Sequence, residues 1–441
     1  MAFEEGSPVS RGIKTSLSRR DLLKAAGVMA GGALLAACST PAAPAPQAPA
    51  AGSPSGKPTG GVIKIGSINP ATGTYAVQGT SAWNGGRLAV AEYNAAGGVL
   101  NREVQYLTED SQANAGVGTQ KAQKLLEKDK VDALVGEVSS SVALAVGEIA
   151  ENAKKLYIAS LPNGSEITGK NCRKYVFRVD SMNEMGIKAV FPVLIEKGKN
   201  WYFITHDYAW GQDAYRIGSQ MLKDAGGKEL GNILVPLGTN DFSSQLLKVR
   251  DAKPEVLFTA VGGSDFGAML KQLKEFGMQD KVFISGPIAN QSDFWSIGID
   301  YTVGYWPVVW YYLLDTPGSQ AFNKAYQDRF GQPAENNSWQ EYIAVKSVLE
   351  AMKRANSVNS ADLVKALEGW EFDGLKKRKV YYRDWDHQLI QEMYILQART
   401  KDKVTSNFDF FDIVTSAPKE GEPLDKYAGT KETVGCKMPG L

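Results

Sequence analysis

The feature that most constrains this chain is a repeated alternation of short β-branched runs with Gly-terminated amphipathic stretches. Val62–Ile68 is bounded by Gly and Pro and predicts a strand. Ala82–Asn94 has helical spacing, with Trp83, Leu88, Val90, Ala91 and Tyr93 available for a buried face, and stops at Gly97-Gly98. The alternation continues through strands at Glu103–Glu109, Ala133–Val138 and Leu156–Ser160, separated by helices at Ala115–Lys128 and Val142–Asn152. It then restarts. Strands are predicted at Trp201–Thr205, Gly231–Leu237, Val256–Ala260 and Lys281–Ser285, and helices at Gly211–Ala225, Phe242–Asp251 and Phe266–Phe276. Three further helices (Ala321–Phe330, Trp339–Ala355, Ser360–Glu368) and closing strands at Val380–Arg383 and Met393–Ala398 follow. Two consecutive sets of β-α units imply an α/β class with two similarly built lobes, each a parallel sheet flanked by helices. At 441 residues the chain has room for two or three domains.

Composition removes whole function classes. Lys+Arg 49 against Asp+Glu 48 leaves a net charge of +1, and no basic stripe marks a nucleic-acid surface. Two His, far apart, and three Cys argue against a zinc or iron–sulfur centre, so no metal or cofactor is expected. No G-x-x-x-x-G-K-[ST] loop is present, and Gly66-Ser67 does not extend to G-x-G-x-x-G. Asp384-Trp385-Asp386-His387 has residue types suited to metal or acid–base work, but one such cluster between two strands reads as a turn.

Residues 1–37 read as an address rather than as fold. Ser18-Arg19-Arg20-Asp21-Leu22-Leu23-Lys24 is a twin-arginine pattern, and the apolar run from Ala25 to Ala37 is too short for a comfortable span. It ends in Leu35-Ala36-Ala37-Cys38, which resembles a bacterial lipoprotein cleavage box, so Cys38 is expected to carry lipid. A tether of Ala, Pro, Ser, Gly and Thr follows to residue 60. In an oxidising envelope the remaining Cys172 and Cys436 suggest one disulfide, the alternative being two unrelated thiols.

In open parallel sheets ligands sit at the carboxyl ends of the strands. Those loops here carry Glu137-Val138-Ser139-Ser140-Ser141 and Pro162-Asn163-Gly164-Ser165. Hydroxyls and free N–H groups at a helix start donate to a carboxylate or carbonyl oxygen, although one serine alone would serve as a helix cap. Tyr75, Trp83, Tyr208 and Trp210 stand in or beside such loops and could stack on a ring; Tyr75 and Trp83 read equally well as packing. The aromatic run Tyr305–Tyr312 either lines a cleft or forms core where the chain recrosses between lobes. Ser139–Ser141 has no G-x-S-x-G elbow and no His placed by sequence as its base, which argues against catalysis.

Several ordered motifs carry a resemblance. They are Thr72-Gly73, Tyr93-Asn94-Ala95-Ala96-Gly97-Gly98, Glu109-Asp110, Val135-Gly136 before the serine run, Phe177-Arg178, Asp207-Tyr208-Ala209-Trp210-Gly211, and Gln272 to Gly277. Across residues 62–400 the chain resembles the periplasmic leucine/isoleucine/valine-binding protein family, the solute receptors of branched-chain amino acid-type ABC transporters. The resemblance implies a type I periplasmic binding protein: two Rossmann-like lobes joined by three hinge crossings, with the ligand in the cleft between them. Lobe 1 would hold residues 62–179 and 310–377, lobe 2 residues 180–309 and 378–441. Ser139, with Asn163 and Ser165, matches positions that hold a ligand carboxylate, the Asn163-Gly164-Ser165 loop fixing its polar end; Trp210 matches a covering aromatic, and a third cleft contribution falls near Gly263 to Asp265. The family's acid for a ligand ammonium falls on Gly286-Pro287-Ile288-Ala289, where no acid stands. Asp265 or Glu137 could substitute; otherwise the ligand lacks an α-amino group. The implied role is an extracytoplasmic, lipid-anchored receptor, acting as a monomer, that delivers an amino acid-like, amide or aromatic carboxylate ligand to a membrane permease. A ligand sensor serving a signalling partner, or an envelope hydrolase, are the alternatives.

Overall fold

The computed structural model describes residues 60–438. The twin-arginine segment, Cys38 and nearly all of the tether lie outside the described residues. Two sheets organise the remainder. The first contains β1 (Ile63–Asn69), β2 (Val104–Asp110), β3 (Ala133–Gly136), β4 (Tyr157–Ala159) and β5 (Val176–Arg178), ordered β2-β1-β3-β4-β5 and parallel throughout. Helices α1 (Ala76–Ala95), α2 (Ala115–Gln123) and α3 (Ser140–Asn152) connect them.

After β5 the chain enters the second layer through α4 (Asn183–Lys197). There follow β6 (Asn200–His206), α5 (Ala209–Asp224), β7 (Lys228–Val235), α6 (Ser243–Ala252), β8 (Val256–Ala260), α7 (Gly263–Glu275), β9 (Phe283–Ser285), α8 (Gln291–Ile297) and β10 (Tyr305–Val308). The chain next returns to the first layer with α9 (Pro317–Phe330), α10 (Asn336–Ala355) and α11 (Ser360–Leu367); α10 packs along α1 and touches β3. A small antiparallel sheet of β11 (Glu371–Phe372), β12 (Val380–Tyr382) and β13 (Leu389–Ile390) precedes β14 (Met393–Ala398), β15 (Phe411–Ala417) and α12 (Lys431–Val434). The second large sheet runs β15-β14-β10-β9-β8-β6-β7, with β14 and β15 antiparallel at one edge.

The α1–α10 contact shows how sequence dictates packing. A Cβ on Gly85 would stand 1.9 Å from the Ser338 carbonyl oxygen, so only glycine allows this approach. The buried Glu341 on α10 then accepts hydrogen bonds from Ser67 (2.6 Å), Tyr106 (2.7 Å) and Ser160, tying α10 to β1, β2 and the residue that follows β4.

The structure departs from the sequence expectations at identifiable points. α1 begins at Ala76 rather than Ala82, and β7 starts three residues and ends two residues earlier than expected, stopping before Pro236, which has no N–H to continue the ladder. The stretch expected to complete α2, Lys124–Lys128, is a π-helical turn. The sequence pattern does not predict β5, α4, α8, β10, β11, β13, β15 or α12. Pro192 inside α4 disguises its helical period, yet burial of Met185, Ile187, Val190 and Leu194 holds it. The aromatic run at Tyr305 is core: Trp306, Trp310 and Tyr311 are fully buried, and Trp306 meets Phe266 edge-to-face at 5.2 Å.

The chain crosses between the layers after β5, after β10 and between β13 and β14. The crossings are braced by buried polar groups. Arg178 binds Gln388 (2.7 Å), Thr168 (2.6 Å) and the Gly164 carbonyl (2.6 Å), while Gln388 and Gln391 each donate to a backbone carbonyl at Asp180 and Val179 (2.6 Å). Cys172 and Cys436 are disulfide-bonded, with Cα atoms 5.5 Å apart. Ala428 and Gly429 on the closing segment accept from Arg383, whose guanidinium stacks on Trp385 at 4.0 Å.

Candidate solute-binding cleft

The carboxyl ends of the strands in both large sheets point their loops toward one another, and hydrogen bonds trace the meeting. Ser140 opens α3, and its Oγ accepts from Gly164 N at 3.0 Å. The next residue, Ser165, donates its N–H to Asp213 on α5 at 2.9 Å. Asp213 also accepts from Asn183 (2.9 Å), which donates to the Trp210 carbonyl (3.0 Å). This chain of contacts places the serine run, the Asn163–Ser165 loop and Trp210 in one neighbourhood.

A second set of contacts closes the opposite side. The Tyr75 hydroxyl lies 2.8 Å from that of Tyr208 and 3.2 Å from His206 Nδ1. His206 Nε2 stands 3.1 Å from Asp265 Oδ2, and Thr74 Oγ1 donates to Asp265 at 3.2 Å. The backbone joins in, with Ser264 N donating to the Thr74 carbonyl at 3.0 Å. Gly262 lies against both aromatic walls: a Cβ there would be 3.1 Å from the Tyr75 ring and 3.5 Å from Trp210. Tyr208 and Trp210 are themselves neighbours, with ring centroids 6.2 Å apart.

Several donors in this neighbourhood are unspent. Ser139, the α3 N-cap, makes no side-chain capping bond, and the first intrahelical bond to it comes from Ala143 N. The N–H groups of Ser140, Ser141 and Val142 therefore head the helix without a partner from it. Trp210 Nε1 and Ser165 Oγ are buried without hydrogen-bond partners. Buried donors of this kind are costly unless an acceptor reaches them.

The carboxylates are disposed differently. Asp265 is occupied by His206, Thr74 and Gly238 N (2.7 Å). Glu137 lies fully buried at the end of β3, where its Oε1 accepts from Val138 N and Ser139 N, both at 2.9 Å. Burial pushes its carboxyl up to about 7, against the hydrogen bonds from Ser139 N, Ser111 and Val138 N that favour the charge. Ile288 is buried and offers no charge. Asp293, on α8, accepts from Gln78 on α1 and is raised to about 8, chiefly by burial and then by Glu335.

Other candidates take structural places. Asn163 spends its amide on the Ser181 carbonyl at 3.0 Å, bracing a crossing. Gly164 sits directly against Ser140, where a Cβ would come within 3.0 Å. Trp83 lies on α1 beneath the Arg87 guanidinium at 5.8 Å. Asp386 pairs with Arg383, and His387 stacks on Phe177 at 3.8 Å while bonding the Val176 carbonyl. Sequence reasoning missed His206, Thr74, Asp213 and Asn183. The rule that strand ends face the ligand could have found His206, the last residue of β6.

A family model described as "Periplasmic binding protein" matches residues 62–403. The chain belongs to the periplasmic binding protein family. Among relatives, the Leu/Ile/Val-binding protein homolog 7 of Brucella melitensis is 26% identical over 342 residues, covering 74% of this chain and 85% of that protein. The structure of a periplasmic binding protein from Burkholderia mallei superposes with a TM-score of 0.79 at 26% identity, covering 85% of this chain and 98% of that one. A solute binding protein of an ABC transporter from Rhodopseudomonas palustris, solved with 3,4-dihydroxy benzoic acid, gives a TM-score of 0.71 at 24% identity over 77% of this chain and 94% of that one. Solute binding by an α/β fold with mainly parallel sheets is thus the family's work. Among the described residues no helix is long and apolar enough to cross a membrane.

Proposed function

We propose that this chain is the lipid-anchored, extracytoplasmic solute-binding component of an ABC importer. Its two large sheets are the cores of two lobes, residues 62–179 with 310–390 and residues 180–309 with the edge strands β14 and β15, which shut on a small solute by hinge motion. The observation that carries the reading is the cluster of unspent donors (Ser139, the α3 N-terminus and Trp210 Nε1) beside the Tyr75–Tyr208 pair. Donors fix an anionic or carbonyl end, and the aromatic pair covers an apolar body. The nearby acids are bonded or buried, and Ile288 stands where an ammonium partner would be useful, so the solute is a carboxylate or amide without an α-amino group. The benzoate-type ligand of the Rhodopseudomonas palustris protein and the Leu/Ile/Val-binding name of the Brucella relative set the two solute classes to compare. Lipid attachment at Cys38 and twin-arginine export rest on the leader motifs.

The test is a thermal-shift screen of the full chain with aliphatic amino acids, simple amides and aromatic carboxylates. A solute at 100 times its Kd adds about 2.7 kcal/mol of stability, a shift of several degrees. Stabilisation by aromatic or aliphatic acids and not by leucine, isoleucine or valine supports the reading. Stabilisation by amino acids alone would refute the assignment of the solute, and no response to any class would refute solute binding.

A further inference from the structure

The cleft's four contacting residues form a hydrogen-bond chain whose direction follows from their chemistry. A carboxylate only accepts, so His206 Nε2 donates to Asp265 across 3.1 Å. A neutral imidazole has one N–H, which leaves Nδ1 as an acceptor for the Tyr75 hydroxyl at 3.2 Å. Tyr75 has then used its proton, so the 2.8 Å contact is donated by Tyr208. In this state Tyr208 turns only lone pairs to the cleft and suits a ligand that donates. A second proton on His206 reverses the chain. Nδ1 donates to Tyr75, Tyr75 donates to Tyr208, and the Tyr208 O–H becomes free to point at a ligand oxygen.

We propose that His206 sets the charge of the ligand this cleft accepts: an amine-free monocarboxylate binds with uptake of a proton at His206, whereas a neutral amide binds without it. The inference rests on the solute-binding reading above. His206 is fully buried, so it exchanges charge only as part of this network. The groups facing it are Asp265 from α7, Tyr75 from the β1–α1 loop, and Tyr208 and Trp210 from its own loop. Farther out, Glu137 acts on Tyr208 and Asp293 acts on Tyr75. The charges acting on the two phenols are thus carboxylates, and among the described residues no lysine or arginine hydrogen-bonds any member of the chain. A carboxylate ligand entering the neutral-His206 state would meet the Asp265 carboxylate at the end of the chain and an acceptor at its head. Burial raises both phenols well above the usual tyrosine range, so they pass hydrogen-bond direction along and keep their protons.

The experiment is calorimetric titration of the full chain at pH 7.5 with 4-hydroxybenzoate and with 4-hydroxybenzamide, each in phosphate and in Tris. These buffers differ in ionisation enthalpy, so a difference in heat counts protons. Expected for the acid is uptake approaching one proton, with affinity rising by up to tenfold per pH unit as pH falls; for the amide, no uptake is expected. His206→Gln keeps one donor and one acceptor but cannot be protonated. It should abolish uptake and flatten the pH dependence for the acid. Equal heats for the acid in both buffers would overturn the proposal. So would uptake that survives in His206→Gln and disappears in Glu137→Gln. Leucine binding without 4-hydroxybenzoate binding would overturn it while leaving solute binding intact; a chain that binds no solute of the panel would take the underlying reading with it.

Discussion

Closure of the cleft should be blocked by one methyl group at Gly263. This residue begins α7 with φ +65°, and a Cβ there would lie 2.2 Å from the Thr74 carbonyl oxygen and 3.0 Å from its backbone carbon. Gly263→Ala therefore acts twice. The left-handed backbone costs a non-glycine residue about 1 kcal/mol or slightly more whether the cleft is open or shut, which lowers thermal stability alone. The clash exists only when the two loops meet. Relieving it requires the loops to part by roughly 1 Å, enough to lose the Ser264 N to Thr74 O bond and the Thr74 Oγ1 to Asp265 bond. At about 1 kcal/mol each, with a further contribution from the disturbed Tyr75–Tyr208 contact, the closed form loses about 2–3 kcal/mol. That corresponds to roughly 30- to 150-fold weaker binding. Titration calorimetry with the best solute of the screen measures the affinity, and scanning calorimetry measures the stability. Gly331→Ala supplies the comparison, because Gly331 has φ +77° at the α9 C-terminus and no atom within 4 Å of its Cβ position. It should lower the melting temperature by a similar amount and leave binding alone. Equal affinities for the two variants would refute the claim that the Gly263–Thr74 contact belongs to the ligand-bound form.

Three other outcomes are expected. Ser139→Ala should weaken solute binding by about 1–3 kcal/mol with little change in melting temperature, since a buried ligand oxygen loses a donor; unchanged affinity in a titration removes Ser139 from the site. Cys436→Ser opens a cross-link between residues 264 apart, for which loop entropy gives an upper bound of roughly 5 kcal/mol; scanning calorimetry showing no loss of stability would mean that the Arg383 contacts alone hold the closing segment. Glu137 has a folded-state pKa raised to about 7, so the folded protein binds the extra proton between about 4.5 and 7, and its contribution to stability is lost as pH rises through that window. Glu137→Gln should flatten this part of the pH–stability curve, by a difference on the order of 3 kcal/mol between its ends; urea titrations at pH 5 and pH 7.5 with the same slope as the parent would contradict that.

The parts of this fold that were legible in the sequence are those whose burial leaves a simple period. β1, β3, β6 and β8 are short apolar runs covered on both faces, and the Gly and Asn stops that separate them set the β-α rhythm. The parts that were not legible depend on partners far away in the chain. β5 and β10 are only three and four residues long and are strands because neighbours pair with them. α4 carries a proline whose local cost is outweighed by an apolar face that only tertiary packing reveals. The loops of the site followed the rule for strand ends, so Ser139, Tyr208 and Trp210 could be selected. Which atoms are already spent could not, because Asn163 is consumed by Ser181 and Asp265 by His206, contacts set by three-dimensional approach.

The same distinction decides how the cleft should be read electrostatically. Counting residue types, the loops look acidic and suited to a cation, with Glu137, Asp265 and Asp293 close by. Counting unspent atoms reverses the sign. Both of Glu137's backbone donors sit on Oε1, Asp265 is saturated by four donors, and Asp293 is held by Gln78. What remains unpaired around the aromatic pair is mainly a donor set, an indole N–H, a serine hydroxyl and the head of a 13-residue helix, beside one carboxyl oxygen, Glu137 Oε2, on a group whose burial favours the protonated form. A buried donor contributes binding free energy when an acceptor arrives, whereas a saturated carboxylate must first give up a bond. The cleft therefore favours the oxygen end of a solute. The residual repulsion from the surrounding acids is the quantity that a proton on His206 would offset.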